Sequence, residues 1–229
     1  MFEFLFIDMD DTILDFKAEE KAALCRTLEA LGITPTQAVC RRYSQINKAH
    51  WEMLERKQIT REQVLTQRFA VLFEELGCDA DIEQTAKTYA QNLAGGHCLI
   101  PGAVQALTYL QKRYRLFLAS NGTSWVQRSR VQNAGISRFF EDIFISQDMG
   151  VNKPATEFFT RSFARIPDID LRKTMIIGDS LSSDMLGGKN AGIATCWVNP
   201  DDQIYYAVQP DYQIKSLAQL PQLLEKLQA

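Results

Sequence analysis

Hydrophobic residues follow two different patterns along the chain, and the change comes near Gly96. The chain opens with a continuous apolar run, Phe4–Ile7, which is typical of a parallel strand covered on both faces. From residue 16 to residue 93 the apolar positions have helical spacing, and glycines or short polar turns separate the segments. This spacing predicts helices over residues 18–31, 36–54, 60–76 and 82–93. Thr60 and Gln63 predict a capping box at the start of the third helix.

After Gly96, short apolar segments alternate with helical ones. The pattern predicts strands over residues 115–120, 142–146, 174–178, 194–198 and 212–214. It predicts helices over residues 103–112, 124–134, 157–165, 183–191 and 217–227. Alternating strands and helices form a parallel sheet with right-handed crossovers. The predicted fold class is therefore α/β, and the first strand belongs to the same sheet.

The long helical run between the first strand and the remaining strands predicts an inserted domain. We expect an α/β core made of residues 1–15 and 96–229, with an all-helical domain over residues 16–95. Aromatic residues in the helical domain, such as Trp51, Phe69 and Tyr89, are candidates for contacting a substrate, although helical spacing also fits core positions.

Composition and charge narrow the possible functions. The 229 residues are 46% hydrophobic, which allows a sizeable core. A net charge of -3 without a lysine or arginine cluster argues against a nucleic-acid surface. The amino terminus lacks a basic segment, and no apolar run approaches the roughly 20 residues that span a bilayer. We therefore expect neither a nucleic-acid nor a membrane partner.

Five scattered cysteines without a CxxC pair predict neither a disulfide framework nor a zinc site. Reduced thiols are typical of the cytosol, where thiol systems keep cysteines from pairing. We therefore expect the protein to be cytoplasmic.

Carboxylates cluster where the first strand ends. Asp8, Asp10 and Asp11 follow the apolar run directly, at the edge where open α/β sheets keep their ligand sites. Like charges repel unless a cation or a proton lies among them. The cluster therefore indicates a functional site, and a solvated turn is the alternative interpretation.

Polar residues also follow three later strands. Ser120 and Asn121 could bind phosphate oxygens at a helix start, but they are equally typical of a turn. Lys153 precedes a proline in a loop, where a lysine is most often solvated unless it points into a site. Asp179 and Asp184 follow the strand 174–178, and Asp184 taken alone could cap a helix.

The carboxylates at these strand ends suit a hard divalent cation. Oxygen ligands at Asp8 and Asp179 are appropriate for Mg²⁺, which binds few carboxylates and keeps waters and substrate oxygens. With a cation among them, Asp8 could act as an anionic nucleophile toward a phosphate.

Four short motifs, in this order, resemble those of the haloacid dehalogenase (HAD) superfamily of phosphohydrolases. They are DMDDT at residues 8–12, SNG at 120–122, the isolated Lys153, and GDSLSSD at 178–184. The resemblance covers the whole chain, and it implies a Rossmann-like, HAD-like core with the helical domain as an inserted cap.

The resemblance also implies a role for each motif residue. Asp8 would attack phosphorus to form an aspartyl-phosphate, and Asp10 would protonate the leaving alcohol and then activate water. Lys153 would neutralise charge on the phosphoryl oxygens and on Asp8. The implied phosphate-binding residues are Thr12, Ser120, Asn121 and Lys153. The implied Mg²⁺ ligands are Asp8, the backbone carbonyl of Asp10, Asp179, and Asp184 directly or through a bound water.

Asp10 favours phosphate-ester chemistry, because dehalogenases of this superfamily lack an acid at that position. The segments DMDDTILDF and SNG resemble the pyrimidine 5'-nucleotidase branch, which implies nucleoside monophosphates such as UMP, dUMP and dTMP as substrates. A phosphoglycolate or sugar-phosphate phosphatase is the alternative. A non-enzymatic phosphate-binding protein would need a damaged site, and all motif positions are intact. We expect a small phosphate ester as partner and a monomer or homodimer.

Overall fold

The computed structural model of the chain describes residues 1–204 and 208–227, and these form two compact units. One unit contains Met1–Asp15 and the described residues from Cys98 onward, and the other contains Phe16–His97. The second division lies after residue 97, whereas the sequence predicts it after residue 95. Residues 205–207, 228 and 229 of the predicted core range lie outside the described residues.

Six parallel strands form one sheet in the order β3-β2-β1-β4-β5-β6. The strands are β1 (Phe4–Ile7), β2 (Arg115–Ser120), β3 (Asp142–Ile145), β4 (Thr174–Gly178), β5 (Ala194–Val198) and β6 (Tyr212–Ile214). The predicted α/β class is confirmed. Strand β3 ends one residue before its predicted end, because Ser146 already begins a short helix.

The α-helices are α1 (Phe16–Ala30), α2 (Gln37–Glu55), α3 (Arg61–Leu76), α4 (Ile82–Ala94), α5 (Ala103–Leu110), α6 (Ser124–Asn133), α7 (Ser146–Met149), α8 (Thr156–Phe163), α9 (Leu186–Ala191) and α10 (Leu220–Lys226). A π-helical turn, Leu181–Met185, precedes α9, so the prediction of a continuous helix from residue 183 is wrong. Within residues 1–204 and 208–227, no helix combines the length and the apolar composition needed to cross a membrane.

Both faces of the sheet are buried, as the continuous apolar run of β1 predicts. Leu5 and Ile7 belong to one apolar cluster, which includes Leu107 of α5. Phe4 and Phe6 belong to a second cluster, which includes residues of α8. Because successive side chains of a strand point to opposite faces, each cluster covers one face of the sheet.

The strand order places β1 at the switch point of the sheet. Strand β1 lies between β2 and β4. The chain first builds the sheet outward through β2 and β3, and it then returns to β4 on the other side of β1. Open α/β sheets bind ligands beyond the carboxyl ends of the strands at such a point. The residues that follow β1 are therefore in the favoured position for a site.

The helical unit has its own core and recognisable helix ends. Thr60 and Gln63 form the predicted capping box: the Thr60 side chain accepts from the Gln63 N–H at 3.3 Å, and the Gln63 side chain accepts from the Thr60 N–H at 2.8 Å. Phe69 and Tyr89 are fully buried and pack with Tyr43 in this core. The core interpretation of these two aromatics is therefore the correct one.

Candidate active site

Asp8 lies at the junction of β1 and β4. Its backbone N–H donates to the Ile177 carbonyl at 2.8 Å, so residue 8 continues the hydrogen-bonded ladder of the two strands. The residue is only 6% exposed. The sheet therefore holds the Asp8 carboxylate at the switch point with little freedom to move.

Lys153 reaches the same point from the loop between α7 and α8. Its Nζ donates to Asp8 Oδ1 at 2.7 Å, to Asp184 Oδ1 at 2.6 Å and to the Ala119 carbonyl at 2.6 Å. An ammonium group has three hydrogens, so these acceptors use its whole donor capacity. Burial opposes the charge on Lys153, but the two carboxylates outweigh burial and raise the pKa of this lysine. Lys153 is a buried cation among carboxylates and not a solvated loop residue.

Asn121 fixes the backbone of Lys153. The Asn121 side-chain amide donates to the Lys153 carbonyl at 3.0 Å, and its oxygen accepts from the Lys153 N–H at 3.0 Å. Both polar atoms of the side chain are thus engaged in holding the lysine loop. The predicted contact of Asn121 with phosphate stays a prediction, and its side chain serves to place Lys153.

Asp8, Asp179 and Asp184 form a compact acidic group, in which one oxygen from each carboxylate lies within 4.8 Å of the others. Burial raises the pKa of Asp8 to about 8; Lys153 opposes this rise, and the charges of Asp184 and Asp10 add to it. Burial also raises the pKa of Asp179 well above its usual range. One ammonium cannot balance three ionised carboxylates. Their hard oxygen atoms and their excess negative charge therefore fit a divalent cation such as Mg²⁺.

Asp184 is placed by the π-helical turn Leu181–Met185. The residue is fully buried, and its Oδ2 accepts from the Ser180 N–H at 3.1 Å. A Cβ atom on Gly178 would lie 2.2 Å from the same oxygen, so only a glycine at this position leaves room for the carboxylate. Ser180, and not Asp184, caps the turn: its side chain accepts a hydrogen bond from the Ser183 N–H at 3.2 Å. Asp184 instead contacts Lys153, which favours the functional interpretation of this residue.

Asp10 lies outside the acidic group and belongs to a second network. Its side chain is 25% exposed, and its Oδ1 forms an ion pair with Arg130 Nη1 at 2.7 Å. Its Oδ2 accepts from Gln127 Nε2 at 2.8 Å. The predicted metal ligation by Asp10 involves its backbone carbonyl, and both this ligation and the predicted acid/base role of its side chain stay predictions.

Two buried hydroxyl groups accompany these carboxylates. Ser120 Oγ accepts from Gln127 Nε2 at 2.8 Å. Thr12 Oγ1 is buried and has no hydrogen-bond partner among the residues that the structure describes. A buried hydroxyl without a partner is costly, and a phosphoryl oxygen would supply one. Thr12 and Ser120 therefore stay predicted phosphate-binding residues.

Asp11 has a structural role in the loop after β1. Its φ of 53° lies in the left-handed region, which aspartate adopts more readily than most residues. Its backbone N–H donates to the Leu14 carbonyl at 2.8 Å and closes the turn. The backbone of Asp11 thus forms the turn that follows Asp10.

Gln127 and Arg130 join the network around Asp10, although the sequence did not predict them as site residues. Both lie on α6, which begins shortly after the SNG motif. Their spacing of three residues places them on one face of the helix. This spacing was the only feature of the sequence that could have linked the two residues. Glutamine and arginine are usually exposed, so the polar pattern predicts that both face the solvent.

The parallel sheet and the polar side chains at its carboxyl edge define a Rossmann-like α/β protein with a candidate site at the switch point of the sheet. The family model of the haloacid dehalogenase-like hydrolases matches residues 5–198, and the chain belongs to this family. The resemblance read from the four motifs is thereby confirmed.

Several relatives of this chain match it over nearly its full length. It is 40% identical over 221 residues to the HAD-hydrolase YfnB from Bacillus subtilis, covering 96% of this chain and 94% of the relative. It is 36% identical over 227 residues to the pyrimidine 5'-nucleotidase PynA from Streptococcus pneumoniae, covering 98% and 96%. A crystal structure of YfnB bound to magnesium, which reveals interdomain movement, matches with a TM-score of 0.93 at 39% identity and covers 97% of this chain and 98% of that chain.

Proposed function

We propose that this protein is a Mg²⁺-dependent phosphatase that hydrolyses phosphate monoesters through an aspartyl-phosphate, with pyrimidine nucleoside 5'-monophosphates as its substrates. The observation that carries the proposal is the buried Asp8 carboxylate, which Lys153 binds at 2.7 Å beside two further carboxylates. Such a nucleophile needs cationic surroundings to approach a phosphate dianion.

In the proposed reaction, side chains of this protein carry out the nucleophilic attack and the proton transfers. Lys153 binds Asp8 Oδ1, and the second carboxylate oxygen attacks phosphorus while the bond from phosphorus to the ester oxygen breaks. Asp10 gives its proton to that oxygen, and the alcohol leaves. Asp10 then takes a proton from a water molecule whose oxygen attacks the phosphorus of the aspartyl-phosphate, while the bond from phosphorus to the Asp8 oxygen breaks. Phosphate leaves, and Asp8 is regenerated.

The acidic group would hold the cation. Asp8, Asp179 and the backbone carbonyl of Asp10 are the proposed ligands, and Asp184 contributes directly or through a water. When bound, Mg²⁺ would neutralise the negative charge shared by the carboxylates and the phosphoryl oxygens.

Mg²⁺ is expected to stabilise the folded protein, because the ion binds the assembled acidic group and not the unfolded chain. A concentration of a hundred times the dissociation constant would add about 2.7 kcal/mol to the free energy of unfolding. The thermal midpoint measured with and without MgCl₂, at matched ionic strength, checks this expectation. Asp179→Asn should weaken the shift and Asp148→Asn, which alters a surface ion pair with Arg128, should not. An unchanged shift in Asp179→Asn would contradict the proposed site.

We also propose that the helical unit, predicted over residues 16–95, is a cap that selects the leaving group. This role is the one implied by the family resemblance, and the interdomain movement of YfnB supports it. Caps of this kind exclude water and bind the part of the substrate that differs between relatives.

Pyrimidine nucleoside monophosphates are the proposed substrates because the PynA relative, at 36% identity, is a pyrimidine 5'-nucleotidase. Phosphate release from UMP, dUMP and dTMP should exceed release from AMP, phosphoglycolate and a hexose phosphate by at least about tenfold in kcat/KM. Equal rates on the sugar phosphates would overturn the nucleotide assignment and leave the phosphatase assignment intact. No release from any of these esters would overturn both.

A further inference from the structure

A buried polar network connects Asp10 with Ser120 through two residues of α6. The members are Asp10, Ser120, Gln127 and Arg130, and the contacts between them range from 2.7 to 2.9 Å. No motif of the family resemblance includes Gln127 or Arg130. The motif residues therefore do not account for the role of Gln127 and Arg130 in this network.

Arg130 is fully buried, and it is the largest of the fully buried side chains among the described residues. A buried guanidinium group is tolerated only when charged or polar partners surround it. Arg130 Nη1 pairs with Asp10 Oδ1 at 2.7 Å and donates to Gln127 Oε1 at 2.9 Å. The arginine thus directs its charge at the residue that transfers protons in the proposed reaction.

Gln127 completes the arrangement from the first turn of α6. Its Nε2 has two hydrogens, and the two acceptors at 2.8 Å are Asp10 Oδ2 and Ser120 Oγ. Its Oε1 accepts from Arg130, which fixes the orientation of the amide group. The amide therefore ties the acid/base carboxylate to the hydroxyl predicted to bind phosphate.

Gly122 of the SNG motif leaves room for this amide. A Cβ atom at residue 122 would lie 2.7 Å from Gln127 Cγ and 2.9 Å from Gln127 Nε2. A larger residue would therefore push the amide away from Asp10 and Ser120. The SNG motif and the network therefore pack directly against each other.

We propose that Arg130 and Gln127 are positioning residues that hold the Asp10 carboxylate in the orientation needed for proton transfer to the leaving group. Each carboxylate oxygen has two lone-pair sites. Arg130 forms the ion pair with Oδ1 and Gln127 donates a hydrogen bond to Oδ2, so both oxygens are held from the α6 side, and the 25% of the side chain that remains exposed is left for the alcohol or water. The inference rests on the proposed phosphatase function.

Two substrates whose leaving groups differ in basicity can distinguish a loss of Asp10 positioning from a general disruption of the active site. A nucleoside alkoxide needs a proton as it leaves, whereas p-nitrophenolate leaves readily without one. The constant kcat/KM covers only the steps up to departure of the leaving group, so it excludes the later hydrolysis step. We compare the best alkyl phosphate of the substrate panel with p-nitrophenyl phosphate.

Arg130→Met should lower kcat/KM for the alkyl phosphate by about 10- to 100-fold, part of the contribution typical of general acid catalysis, and for p-nitrophenyl phosphate by less than about threefold. Gln127→Leu should show the same selectivity, and Asp10→Asn should show it more strongly. The double variant should lose less than the product of the two single losses, because both residues act through Asp10. Arg128→Met is the matched control on α6, since Arg128 is exposed and pairs with Asp148.

Equal losses on both esters in a folded Arg130→Met protein, or no loss on either, would overturn the proposal. If Arg130→Met does not give a cooperative thermal transition, Gln127→Leu decides alone, because this substitution introduces no change of net charge. A wild-type protein that hydrolyses neither ester would instead refute the phosphatase function, and the positioning role would fall with it.

Discussion

Asp8→Asn is expected to abolish phosphate-ester hydrolysis while the protein stays folded. The amide cannot form the covalent phosphoryl intermediate, so turnover should fall by on the order of 10⁴- to 10⁶-fold, the range seen when members of a hydrolase's catalytic unit are removed. Asparagine has nearly the same shape and keeps an oxygen that can accept from Lys153, which binds Asp8 at 2.7 Å in the native protein.

The stability of Asp8→Asn in Mg²⁺-free buffer should equal or exceed that of the wild type. The substitution removes one of three clustered carboxylates and so relieves their mutual repulsion. Circular dichroism and the thermal midpoint measure the fold, and phosphate release measures turnover. Asp148→Asn is the matched control, because this aspartate also follows a strand of the sheet but pairs with Arg128 at the surface. Hydrolysis retained by purified Asp8→Asn would overturn the nucleophile assignment.

The apolar run Phe4–Ile7 and the carboxylates after it could be interpreted from the sequence because burial and charge conflict there. A strand that is buried on both faces needs apolar residues at every position, and β1 has them. No folding requirement explains charges at its end, so the conflict indicated a site. The same argument placed Asp179 beyond β4, which the structure brings next to Asp8.

Lys153 and Arg130 show where sequence patterns stop being informative. Lys153 follows β3 at some distance in the chain, and only the motif order indicated a role, because a loop lysine is usually solvated. Arg130 belongs to a helix whose spacing groups it with Gln127 on one face, but the polar residues do not indicate that this face is the buried one. Its burial depends on Asp10, which lies 120 residues earlier in the chain and meets it only in the folded unit.

The turn Leu181–Met185 was not predicted, because its sequence pattern also does not indicate the contacts made in the folded protein. Its residues have ordinary helical spacing, and the sequence therefore predicts a regular helix from residue 183. The structure instead has a π-helical turn, which carries Asp184 into contact with Lys153. Turns of this kind are often found at functional sites, and local propensity does not distinguish them from the helix that follows.

Lys153→Met is the second substitution with a large expected effect, and it should reduce both turnover and stability. Methionine fills a similar volume but leaves Asp8 and Asp184 without the ammonium that binds them at 2.7 and 2.6 Å. Breaking such a buried pair costs about 3–5 kcal/mol. Lys153 is the cation proposed to stabilise charge on the transferring phosphoryl group, so its loss should lower kcat by about 10²- to 10³-fold.

Mg²⁺ should recover part of the lost stability of Lys153→Met, because a divalent cation can take over the neutralisation of the carboxylates. The Mg²⁺-induced rise of the thermal midpoint should therefore be larger in this variant than in the wild type, while kcat stays low because the donor to Asp8 is still missing. Lys173→Met is the matched control: Lys173 forms an exposed ion pair with Glu3 at 3.2 Å, and such pairs contribute at most about 1 kcal/mol. A Lys153→Met protein with wild-type stability in Mg²⁺-free buffer would contradict the assignment of this lysine as the buried counter-ion of the acidic group.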